Sequence, residues 1–60
     1  MFQIKECDPD NGRVVVADDE FGLWFEFHEP DLVTAKIVDD YDLHIETKDG
    51  TNKVLSILER

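Results

Sequence analysis

The chain offers few residues that could do chemistry: one cysteine, Cys7, two histidines, His28 and His44, and fifteen carboxylates set against six basic side chains. Cys7 with a histidine is the only nucleophile–base pair available. The Asp8 carboxylate beside it disfavours the thiolate that such a pair must generate. Structural zinc sites place paired ligands a few residues apart, and Cys7, His28 and His44 have no such spacing. Asp8, Asp10 and Asn11 resemble the start of a calcium loop. Counting from Asp8, however, puts Arg13 where an EF-hand needs glycine and Asp19 where it needs a bidentate glutamate. No catalytic residue, metal or cofactor is therefore predicted, and a chain of 60 residues leaves little room for a ligand pocket of about 300 Å³ or more. The expectation is a protein that is not an enzyme.

Charge narrows the partners. A net charge of −9 repels nucleic-acid phosphate and anionic membrane alike, which argues against direct binding to either. The field favours another protein, particularly a basic one. The acids gather where the chain should turn: Asp8 and Asp10, Asp18-Asp19-Glu20, Glu29 and Asp31, and Asp39-Asp40 with Asp42. Two readings account for them. Charges flanking the aggregation-prone runs Val14-Val15-Val16-Ala17 and Leu23-Trp24-Phe25 act as gatekeepers. Alternatively, rows of carboxylates on a rigid β frame imitate the closely spaced charges of duplex DNA, as phage-type inhibitors of nucleic-acid-binding proteins do.

The elements that must position these groups are strands. β-Branched and aromatic residues dominate the apolar set, and Ala17 and Ala35 are the only alanines. Phe2 to Cys7 alternates, and Asp8-Pro9-Asp10-Asn11-Gly12 turns the chain into a second strand, Arg13 to Asp18. The Val14-Val15-Val16 run in that strand predicts burial on both faces. After a turn ending at Gly22, Leu23, Phe25 and Phe27 alternate with Trp24, Glu26 and His28. Pro30 ends that strand, because it has no N–H for a central ladder. Leu32 to Val38 reads either as a strand or as a helical turn capped by Asp31 followed by a strand, and Asp39-Asp40 turns the chain again. Asp49-Gly50 predicts a two-residue type I′ hairpin that pairs Lys48 with Thr51, Glu46 with Lys53 and Ile45 with Val54, in preference to a helix over Lys53 to Arg60 capped by Asn52, since eight residues are too few to hold a helix in water. That register puts Tyr41, Leu43, Ile45, Val54 and Leu58 on one face. Asp42, His44, Glu46 and Lys53 lie opposite, with Leu55 and Ile57 on the outer side near Asp42 and His44.

The predicted fold is a single all-β domain of five to six short antiparallel strands in sequential hairpins, curled into a small SH3-like or open barrel that limits exposed edges. The lone cysteine excludes an internal disulfide. The opening Met1-Phe2-Gln3-Ile4-Lys5-Glu6 lacks the basic and apolar regions of a signal peptide, so the expected location is cytoplasmic. A domain this short buries only about 60% of its unfolded surface, which favours a homodimer or a firm partner.

If Leu23, Phe25 and Phe27 face the core, Trp24 stands on a polar face with Glu26 and His28. There it is either an interface anchor or a residue covered by a neighbouring segment. The expected function is a small acidic protein-interaction module that docks through Trp24, Glu26 and His28 or through the acidic turns at Asp18, Asp19, Glu20, Asp39, Asp40 and Asp42. The alternative is the DNA-mimic inhibitor.

Self-repulsion at a net charge of −9 predicts that the melting temperature rises as the Debye length shrinks from about 30 Å at 0.01 M salt to about 10 Å at 0.1 M. Melts recorded at the two ionic strengths check it.

Overall fold

The computed structural model describes residues 1–58 and is all-β. Six strands follow one another: β1 (Gln3–Asp8), β2 (Arg13–Asp18), β3 (Leu23–His28), β4 (Leu32–Val38), β5 (Asp42–Thr47) and β6 (Asn52–Ser56). They form two three-stranded antiparallel meanders, β1-β2-β3 and β4-β5-β6, that share one core and leave the barrel open rather than closed. The segment Leu32–Val38, ambiguous in sequence, is a strand along its whole length.

Pairing sets the faces. Val14 lies opposite Phe27 and Val16 opposite Phe25, so these residues look inward. Arg13 opposite His28, Val15 opposite Glu26 and Ala17 opposite Trp24 look outward. The outward Val15 is nonetheless buried, as the unbroken valine run predicts, and so is Ala17. Phe2, Val14 and Val16 from the first half meet Leu32, Leu43, Ile45 and Ile57 from the second, with Ile4, Phe25, Phe27, Ala35 and Ile37 packed around them. Burying each large aliphatic side chain in that cluster contributes about 1.5–3 kcal/mol. The first strand of each sheet carries a bulge, between Ile4 and Glu6 in β1 and between Leu32 and Thr34 in β4.

Between the sheets, Glu29-Pro30-Asp31 is tied to both. Glu29 N–H donates to the Gly12 carbonyl (2.8 Å) and Lys48 N–H donates to the Asp31 carbonyl (2.9 Å). Gly12 is obligatory at this seam. Its φ is +63°, and a Cβ there would lie 2.5 Å from the Glu29 carbonyl oxygen.

The last hairpin departs from the predicted register by one residue. Ile45 pairs with Lys53, His44 with Val54 and Leu43 with Leu55, while Glu46 faces Asn52 rather than Lys53. The cause is the turn. Gly50 N–H donates to the Thr47 carbonyl (3.0 Å), Gly50 takes φ +84°, and Thr47 N–H donates to the Thr51 carbonyl (3.0 Å). The result is a three-residue excursion, Lys48-Asp49-Gly50, of the type I turn plus left-handed glycine kind, not a two-residue type I′ turn. Asp49 holds it by accepting from the Thr47 hydroxyl (2.5 Å) and the Thr51 N–H (2.9 Å).

Because side chains alternate with period two, that single step turns β6 over. Val54 moves out beside His44, and Lys53 moves to the inner side, where its ammonium meets Glu29 at 2.9 and 3.1 Å. Ile57, predicted on the outer face, is fully buried in the core. Leu55 follows it inward and is only just exposed. Tyr41 and Leu58, predicted on the core face with Leu43 and Ile45, are half exposed.

Truncations in β6 separate the two registers. Ile57→Ala is expected to cost about 2–5 kcal/mol in urea unfolding, whereas Val54→Ala, at a position 57% exposed, should stay within about 0.5 kcal/mol. The reverse ranking would restore the two-residue turn.

Candidate functional site

An antiparallel meander sends alternate turns to opposite ends. The β1–β2 turn, the Glu29–Asp31 connection and the β5–β6 turn meet at one end, as the Gly12–Glu29 and Lys48–Asp31 hydrogen bonds show. The β2–β3 and β4–β5 turns meet at the other, together with the Met1 amino group. There Met1 donates to Asp18 (3.0 Å), the Phe2 and Tyr41 rings cross at 73° with centroids 6.5 Å apart, and Ile57 N–H donates to the Tyr41 carbonyl (2.8 Å).

This second end gathers most of the acids singled out from sequence: Asp18, Asp19, Glu20, Asp39, Asp40 and, at the start of β5, Asp42. Trp24 joins them, because it pairs with Ala17, one step from the turn. Glu26 and His28 do not. They run up β3 away from that end, into a charge ladder across the first sheet. Arg13 lies 3.4 Å from Glu6 and 2.6 Å from Glu26, and His28 Nε2 lies 3.4 Å from Glu26. Arg13 Nε is buried with no acceptor in line, so its approach to Glu26 is a charge contact rather than an aligned hydrogen bond.

Exposed apolar surface concentrates at the same acidic end. Among the described residues nine large hydrophobic side chains are exposed, and Met1, Phe21, Leu23, Trp24, Tyr41 and Leu58 belong to this end. Phe21, in the β2–β3 turn, is 70% exposed, and Trp24 is 56% exposed. The sequence reading found Trp24 and missed Phe21. The signal was present: a phenylalanine followed by Gly22 and preceded by Asp18-Asp19-Glu20 sits in a turn, with no strand to fold it inward.

The carboxylates of this end differ in how they are used. Asp18 is buried; it takes the Met1 ammonium and also accepts from Glu20 N–H (3.0 Å). The hydrogen bond from that ammonium holds Asp18 below the usual carboxylate range and raises the Met1 amine above its ordinary value. Asp19 takes Lys5 Nζ (2.8 Å), which the β1 bulge presents. Glu20, Asp39 and Asp40 have no ion pair among the described residues. Asp39 and Asp40 occupy the left-handed region in succession, at φ 55° and 67°, a conformation that aspartate tolerates better than most side chains.

At the other end three carboxylates are spent on turns and ties, while those of Asp10 and Asp31 have no ion pair among the described residues. Asp8 accepts from the Asn11 amide (2.6 Å) and Asp10 N–H (3.2 Å), Glu29 holds Lys53, and Asp49 caps its own loop. The Thr47 hydroxyl, followed by Thr51, pulls Asp49 from an ordinary 3.8 to about 2. The hydrogen bonds and charge of Glu29 raise the Lys53 ammonium above its usual value.

The remaining candidates stay apart. Cys7 is exposed on β1, His28 is exposed on β3 and His44 is half buried on β5; no trio of His, Cys, Asp or Glu is grouped for a metal among the described residues. The outer face of the second sheet carries an open polar hollow of about 280 Å³ lined by Thr34, Ala35, Lys36, His44, Ile45, Glu46 and Asn52. No described helix is long and apolar enough to cross a membrane. Comparison with protein-family models, with curated proteins and with solved structures finds no match in any of the three.

A carboxylate whose folded pKa lies below its unfolded one adds stability above the unfolded value and loses it as pH falls toward the folded one. For Asp49 that window runs from 3.8 down to about 2. Asp49→Asn is therefore expected to be less stable than the parent near neutral pH and to lose less on acidification through that window. Chemical denaturation at a series of pH values measures both.

Proposed function

We propose that the protein is a small, non-catalytic interaction module that docks another protein through the end carrying the β2–β3 and β4–β5 turns. One observation carries this reading: most of the exposed large apolar side chains gather there, on a molecule with no shortage of polar residues to put in their place. Interfaces are anchored by aromatic residues that become desolvated at their centre, and Trp24 and Phe21 have the size and exposure for that role.

Trp24 has a competing structural task. It lies opposite the buried Ala17 on the outer face of the first sheet, and its covered half shields that face. Phe21 has no such task, being largely free of the fold in its turn. The two residues together separate docking from covering.

Against a partner isolated from the native host, Phe21→Ser and Trp24→Ala are each expected to weaken binding roughly 30-fold or more, the scale of an interface hot spot of about 2 kcal/mol. Phe21→Ser should leave the melting temperature near that of the parent, and Val33→Ser, at the opposite end, should leave binding unchanged. Calorimetric titration and thermal melts read the two effects. Unaltered binding by both aromatic variants would overturn the docking reading. Competition by duplex DNA would reassign the contact to the carboxylates, as the phosphate-mimic alternative requires.

A further inference from the structure

We propose that the occupant of this end is an arginine-bearing basic segment of another protein, its apolar side chains lying on Phe21 and Trp24 and its guanidinium groups pairing with Glu20 and Asp40. The inference rests on the docking reading above and names the chemistry of the partner. Charge complementarity carries it. The end already takes two cations from its own chain, the Met1 ammonium on Asp18 and Lys5 on Asp19. Glu20, Asp39 and Asp40 remain without an ion pair among the described residues, beside aromatic rings that face solvent. The Met1 amine is bonded to Asp18, two residues before Glu20, and the adjacent Phe2 ring meets that of Tyr41, the neighbour of Asp40, so the two acidic turns share one part of the surface.

A second copy fits poorly. Two chains meeting through this end would bring the same turns together, each chain carrying a net charge of −9, and like charges in juxtaposition oppose association. A basic segment reverses that term, and the field of the whole molecule speeds its encounter. Arginine suits the surface better than lysine. Its planar guanidinium stacks on an aromatic face while it donates in bidentate fashion to a carboxylate, whereas an ammonium is a strongly hydrated point charge.

The test uses the full chain, labelled with nitrogen-15, and three synthetic peptides of one design: leucine alternating with arginine, with lysine or with glutamine. The arginine peptide is expected to shift the amide signals of Glu20, Phe21, Trp24 and Asp40 and to quench Trp24 fluorescence. It should bind roughly threefold or more tightly than the lysine peptide and weaken as salt is raised. A Glu20→Gln/Asp40→Asn double variant should fold as the parent does and lose much of the parent's preference for the arginine peptide over the glutamine peptide. Equal binding of all three peptides by the parent would overturn the inference while leaving an apolar docking end intact. Concentration-dependent dimerisation through the same amides in sedimentation would overturn it in favour of a second copy. If no peptide shifts that end, the inference falls, and the docking reading is then decided separately by the Phe21 and Trp24 variants and the native partner.

Discussion

The fold depends on a single passage of the chain between its two sheets. Three residues, Glu29-Pro30-Asp31, make the crossing, and Pro30 has no N–H with which to carry a ladder from β3 into β4. The two meanders are therefore held together by side-chain packing and by ties to this short connection. Glu29 supplies both kinds of tie: its N–H donates to the Gly12 carbonyl and its largely buried carboxylate grips Lys53 from the last strand. Asp31 adds its carbonyl to Lys48. An ion pair at an exposed position contributes little, but a carboxylate withdrawn from solvent must keep its cation or leave a charge uncompensated. The Lys53–Glu29 contact thus ties the last strand to the connection at one end of the molecule.

The two ends consequently differ in character. At the clasped end the Asp8 and Asp49 carboxylates accept hydrogen bonds from Asn11, Thr47 and Thr51, and backbone bonds join neighbouring turns. At the other end the Met1 amine and Lys5 reach only two of the acids, and the turns carry aromatic side chains that no strand covers. A domain of this size has too little interior for all its apolar residues. What it leaves outside is concentrated at the end that lacks a clasp. The proposed docking surface is that residue of unburied area, combined with carboxylates that have no cation of their own.

Much of the architecture was legible in the sequence because it rests on local chemistry. The strands Arg13–Asp18 and Leu23–His28 follow from alternation and flanking turn residues, and the outward direction of Trp24, Glu26 and His28 follows from their spacing. Leu32–Val38 was ambiguous because its apolar residues fit either period. Pairing of Ala35 with Ile45 and of Ile37 with Leu43 decides it, and no local signal reports that partnership. Of the candidate surface, Trp24 and the acidic turns could be read. Their gathering at one end could not, because it depends on how two sheets are stacked.

By itself the sequence determined an acidic, all-β chain divided by turns, an aromatic on the outer side of β3, and the places where carboxylates cluster. Composition, period-two alternation and glycine or proline punctuation act over a few residues, so they can be read without neighbours. Tertiary structure alone decided the register of the last hairpin. There the favourable pairing of Glu46 with Lys53 yielded to one that buries Ile57 and lets Lys53 reach Glu29. A cross-strand charge pair contributes about 0.2–1 kcal/mol, less than the about 1.5–3 kcal/mol of a buried aliphatic side chain. The long-range term wins, and with it the choice of which residues face the core.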